Sequence, residues 1–231
     1  LFPNPTLIQL DGRDQNYLFI SILLHGNEHS GLSVMQKVLA RYSEGLPRSI
    51  LLFVGNVRAA EANRRHLPDQ VDYNRCWPGT LMEPCPTSQM ARRIIEIAHG
   101  LPLFGALDIH NNTGRNPHYA CITDPNPRNQ NLAAAFNRIA MVYKHKGVCT
   151  MAFDGICPAA TLECGLPGDP DGIEHAVRLV EEMLSLEQLP AEPPTRDKLH
   201  LVESHLNVHI ASDVSYEFDT AADVDLKFEQ D

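Results

Sequence analysis

Basic residues are scarce in this chain: 19 Lys and Arg face 29 Asp and Glu, for a formal charge of −10. Neutralising a phosphate backbone takes clustered cations on a broad face, so nucleic acid is excluded as an expected partner. No apolar segment approaches the roughly 20 residues that a membrane-spanning helix needs, and a soluble protein with no membrane partner is expected. The six cysteines (Cys76, Cys85, Cys121, Cys149, Cys157 and Cys164) lie far apart and form no C-x-x-C pair. That spacing argues against a zinc knuckle or a disulfide framework and points to a reducing, cytoplasmic compartment. Low-complexity tracts are also missing, as in ordinary globular proteins.

What is present is patterned. With 231 residues, 43% of them hydrophobic, the chain can bury one large core. Its first 190 residues alternate short apolar runs with amphipathic stretches, the pattern of an α/β domain with a mixed or mostly parallel sheet. Strands covered on both faces are expected at about 17–24, 49–55, 104–109 and 159–164. Helical spacing links Leu32, Met35, Val38, Leu39 and Tyr42, and likewise Ile173, Ala176, Val177, Val180, Met183 and Leu184. Thr87 is the expected N-cap of a helix that ends at Gly100, and Asp169-Pro170 supplies a cap followed by proline at the first helical position. Pro190-Ala191-Glu192-Pro193-Pro194 reads as a linker. The expected organisation is an α/β domain over 1–190 and a small, incomplete β region over 195–231. In the latter, Leu199, Leu201, Val208, Ile210, Val224, Leu226 and Phe228 alternate with polar residues.

Chemistry concentrates at the ends of the apolar runs. His25-Gly26-Asn27-Glu28 follows the first run, where an imidazole and a carboxylate three residues apart can share one metal ion. Asp108-Ile109-His110 closes another expected strand, and a period of two puts Asp108 and His110 on one side. His110 is a candidate third ligand, and Asp108 a candidate carboxylate to orient a ligating imidazole. Two His and one Glu leave an open position on zinc, although the same donors also accept Co²⁺, Ni²⁺ or Mn²⁺. Glu163 ends Ala159-Ala160-Thr161-Leu162, where packing calls for no charge, and is the candidate general base. Between Arg58 and Arg75 stand four arginines and no lysine, which suits recognition of an anionic substrate end. His29, His66 and His118 are read as packed or solvent-facing.

Taken together, His25-Gly26-Asn27-Glu28 with Gly31, Asn56-Val57-Arg58-Ala59, Asp72-Tyr73-Asn74-Arg75-Cys76-Trp77-Pro78-Gly79, Asp108-Ile109-His110-Asn111-Asn112-Thr113 and Leu162-Glu163-Cys164-Gly165 resemble the succinylglutamate desuccinylase/aspartoacylase branch of the zinc carboxypeptidases. The resemblance implies a three-layer α/β/α sandwich around a mixed sheet, followed by a smaller β domain. It implies one Zn²⁺ per chain, held by His25, Glu28 and His110, with Glu163 as the catalytic carboxylate. Asn74 and Arg75 would grip a substrate carboxylate. Arg65, or Arg64 in its place, would polarise the scissile carbonyl. The expected activity is hydrolysis of an amide next to a free carboxylate in an N-acyl amino acid. Its rivals are a carboxypeptidase for short peptides or peptidoglycan fragments and a metal-binding protein without turnover. A late tyrosine of the carboxypeptidases proper has no clear counterpart, with Tyr143 and Tyr216 available.

Overall fold

The computed structural model describes residues 2–204. Among the described residues, eight strands form one mixed sheet: β1 (Thr6–Leu10), β2 (Gly12–Ile22), β3 (Leu46–Val54), β4 (Leu103–His110), β5 (Tyr119–Ile122), β6 (Ile139–Val142), β7 (Ala159–Glu163) and β8 (His200–Glu203). Their spatial order is β1-β3-β2-β4-β7-β5-β6-β8. β3, β2, β4 and β7 run parallel, β1 joins β3 antiparallel, and β5 joins β7 antiparallel. The helices are α1 (Ser30–Arg41), α2 (Val57–Glu61), α3 (Pro86–His99), α4 (Pro127–Phe136) and α5 (Pro170–Ser185).

Strand alternation sorts the core into two layers. Leu18, Ile20 and Ile22 of β2, Leu107 and Ile109 of β4, and Leu162 of β7 pack against α1, α4 and α5. Phe19, Phe53 and Ala106 point the other way, against Trp77 and the Ile94, Ile95 and Ala98 stripe of α3. Burying each such side chain contributes about 1.5–3 kcal/mol. The result is the expected α/β/α sandwich. Asp108, His110, Thr161 and Glu163 alternate out of phase with the first layer, so all four share the α3 side of the sheet.

Several boundaries differ from expectation for local reasons. β2 ends at Ile22 rather than at 24 because Leu23 takes a left-handed conformation, with φ 57°. A buried leucine there is strained, and the surroundings must hold it in place. Asn56 N–H donates to the Leu23 carbonyl and Gly55 N–H to that of Ile22. α3 is capped by Cys85, not Thr87. The Cys85 thiol accepts from Ser88 N–H, and Ser88 Oγ accepts from Cys85 N–H. Thr87 lies inside the first turn, behind Pro86 at the first helical position. At α5 the Asp169 side chain does accept from Asp171 and Gly172 N–H, as the sequence pattern predicts.

Strands β1, β5 and β6, four or five residues long, were not expected from the sequence. β8 covers part of the alternation expected after 195, and it pairs parallel with β6 as the last strand of the same sheet. The remainder of that alternation, with Val208, Ile210, Val224, Leu226 and Phe228, lies outside the described residues.

Candidate metal centre and active site

β2, β4 and β7 all end at one rim of the sheet. Because β2 lies between β3 and β4, the chain leaves it to either side, and crevices outside strand ends at such a switch point are the usual ligand sites of α/β sheets. The Leu23 reversal sends His25 and Glu28 into this crevice. Gly26 is required there, since a Cβ would run into the Ala59 carbonyl and Ala60 nitrogen of α2.

His25, Glu28 and His110 are all buried, and a nitrogen or oxygen from each lies within 4.8 Å of the others. His25 Nδ1 is 2.8 Å from Glu28 Oε1, and His110 Nδ1 is 2.8 Å from Glu28 Oε2. The two Nδ1 atoms are 3.2 Å apart. Each ring's far nitrogen is held by a carboxylate: His25 Nε2 donates to Asp72 Oδ1 at 3.1 Å, and His110 Nε2 to Asp108 Oδ2 at 2.7 Å. Those bonds orient both rings with Nδ1 toward the Glu28 carboxylate. Orientation of ligating imidazoles by outer carboxylates is what a divalent-metal centre needs, and the donor set fits zinc.

The electrostatics agree with this arrangement. Burial pushes the Glu28 carboxyl up, but His110 and His25 outweigh it and hold the group well below the usual carboxylate range. Asp72 behaves likewise, with His25, Arg65 and the Asn74 N–H overcoming burial. For His110, burial favours the neutral ring, yet Asp108 and Glu28 raise its pKa well above that of a free imidazole.

Glu163 is paired with His110 in the β4/β7 ladder. Among the described residues, no hydrogen bond reaches its carboxylate. Burial pushes its pKa up to about 7; the facing His110 pulls it down, and Glu28 and Asp108 push it up further. A carboxylate poised near neutrality is suited to take and return a proton.

Of the two arginines left open by the sequence, Arg65 faces the cluster. Its Nε and Nη2 donate to Asp72 Oδ2 at 3.1 and 2.9 Å, and its Nη1 lies 3.6 Å from Glu28 Oε1. Arg64 is exposed beside it. Asn74 is buried, with its Oδ1 accepting from Cys149 N–H at 2.8 Å and its Nδ2 3.3 Å from His110 Nε2. Arg75 is half-buried and donates through Nη1 to the Asn74 carbonyl.

Two participants, Asp72 and Asn111, escaped the sequence reading, whereas Tyr119 belongs to the His118-Tyr119-Ala120-Cys121 segment that the sequence marks as shaping the pocket. Asp72 bridges His25 and Arg65, a role its place in the Asp72-Tyr73-Asn74-Arg75 motif signalled only indirectly. Asn111 donates its backbone N–H to Glu28 Oε2 at 3.0 Å and its amide to Ser30 Oγ and the Gly165 carbonyl. Tyr119 stands opposite Glu163 in the β5/β7 ladder and donates its hydroxyl to Asn112 Oδ1. Tyr216 lies outside the described residues.

Residues 14–154, more than half of the chain, match the family model described as the succinylglutamate desuccinylase/aspartoacylase catalytic domain. A succinylglutamate desuccinylase from Photorhabdus laumondii is 38% identical over 65 residues, a stretch spanning 27% of this chain and 19% of that protein. Among solved structures, a succinylglutamate desuccinylase from Chromobacterium violaceum superimposes with a TM-score of 0.69 at 18% identity, covering 93% of this chain and 75% of that one. One from Vibrio parahaemolyticus gives 0.67 at 13% identity, covering 90% and 77%. At those identities the structures speak for the fold.

Proposed function

From the premise that the chain belongs to the succinylglutamate desuccinylase/aspartoacylase family, we propose that it is a zinc-dependent deacylase that hydrolyses the amide of a small anionic N-acyl amino acid. The observation that carries this reading is the convergence of His25 Nδ1, His110 Nδ1 and the Glu28 carboxylate beside a Glu163 that has no partner among the described residues. His25, Glu28 and His110 would hold one Zn²⁺ per chain, which when bound supplies a Lewis acid to water and to a carbonyl.

The chain's own residues do the rest. Arg75 takes the free carboxylate of the substrate, with Asn74 Nδ2 beside it, and so sets the amide over the crevice. Arg65 reaches the scissile carbonyl oxygen while Asp72 holds its guanidinium in place. Glu163 takes one proton from the attacking water. It passes that proton to the amide nitrogen as the C–N bond breaks, releasing a free amine and the acyl carboxylic acid, which then loses its remaining proton to solvent. Six free thiols and the absence, among the described residues, of any helix long and apolar enough to cross a membrane support a cytoplasmic setting.

The test is a Glu163→Gln variant assayed on a small panel of N-acyl amino acids and dipeptides, with zinc measured per chain. We expect kcat to fall by at least about 10²-fold with zinc content unchanged. Near-normal turnover in the variant would remove Glu163 from the role of base. Cleavage of dipeptides in place of N-acyl amino acids would reassign the enzyme to peptides.

A further inference from the structure

A second pair of histidines reproduces the geometry of the first. His118, just before β5, and His175, on α5, bring their Nδ1 atoms to 3.1 Å, against 3.2 Å for His25 and His110. Their rings stand edge to face with centroids 5.1 Å apart, against 4.9 Å in the first pair. His118 Nε2 donates to Asp169 Oδ2 at 3.1 Å, as His25 and His110 each donate to a carboxylate. That bond fixes the His118 tautomer and turns its Nδ1 lone pair toward His175. We propose that His118 and His175 form a second site, for a divalent transition-metal ion, distinct from the His25/Glu28/His110 centre.

Two nitrogens each ~2.0–2.1 Å from one ion in adjacent positions stand roughly 3.0–3.4 Å apart, which the observed separation meets. Without metal, one Nδ1–H donates to the other ring. On binding, His175 shifts its proton to Nε2, and both lone pairs turn to the ion. With only two protein ligands, water completes the coordination. The site should therefore take Cu²⁺, Ni²⁺ or Zn²⁺, the ions that favour imidazole, more weakly than the three-ligand centre does.

Its position gives it reach into the first centre. His118 Nε2 and Asp169 Oδ2 pack so closely over Gly165 that a Cβ there would come within 3.0 and 2.7 Å of them. Gly165 lies two residues after Glu163, and its carbonyl accepts from Asn112 N–H and from the Asn111 amide. An ion at His118 and His175 would brace this loop from behind.

The test is equilibrium titration of tag-free, metal-free protein with Zn²⁺ alone, followed by Cu²⁺ electron paramagnetic resonance on protein already holding one zinc. The wild type is expected to bind two equivalents. The second should be at least 10-fold weaker and, as Cu²⁺, should show nitrogen coupling. His175→Ala and the gentler His118→Gln should each lose that second equivalent while keeping the first. A single equivalent in the wild type, or a second one retained in both variants, overturns the assignment.

Discussion

Proton affinity decides most of what happens at the level of single residues. Glu163 has its pKa raised from an ordinary 4.5 to about 7, while Glu28 and Asp72 are held low. Burial raises it, so the folded chain holds this proton to higher pH than the unfolded chain does. The resulting stability is fully present below about pH 4.5 and is lost as pH rises through about 7. Comparing metal-free wild type with Glu163→Gln by urea denaturation isolates this contribution, because the other carboxylates are common to both. Relative to the variant, the wild type should lose stability between pH 5 and 8. Parallel stability profiles would show that Glu163 is not strained in this way.

Close approach of backbones governs the way elements meet. The first turn of α5 lies against the end of β7, and a Cβ on Gly172 would overlap the Cys164 carbonyl. Rigid backbone on both sides leaves no flexible atom to yield. Gly172→Ala should cost about 1–3 kcal/mol, read as a lower denaturation midpoint with unchanged slope. An unchanged midpoint would mean that α5 can slide along the sheet. The composition near 164–172 pointed to a helix cap, and Asp169 indeed caps α5. The demand for glycine at 172 was invisible, since it depends on where β7 ends in space.

At the scale of the whole molecule, Arg48 joins parts that are remote in sequence. It is 2% exposed, yet it donates to the Met183 and Leu186 carbonyls at the end of α5. It also pairs with Asp14 on β2 at 2.9 Å and stacks 3.7 Å over the Phe104 ring of β4. Arg48→Met would keep the apolar stem and strand one buried carbonyl, that of Met183, and one half-buried, that of Leu186. We expect a loss of about 2–5 kcal/mol in unfolding free energy, with zinc content per folded chain unchanged. A loss under about 1 kcal/mol would indicate that water replaces the guanidinium.

The two-sided apolar strands, the amphipathic stripes of α1 and α5, the Asp169 cap and the motifs that the candidate centre is built from are all legible in the residues. Each of these is written in residues within one or two turns of each other, where period and local hydrogen bonding leave a readable pattern. Tertiary structure alone decided that Asp72 holds His25 across 47 positions and that Tyr119 stands beside Glu163. It also decided that Arg65 rather than Arg64 faces Glu28, and that His118 meets His175 across 57 positions. Those pairings follow from strand order and backbone reversals such as that at Leu23. Partners so far apart in sequence leave no periodic trace of each other, and only the fold, by pairing strands and closing loops, brings their side chains within hydrogen-bonding range.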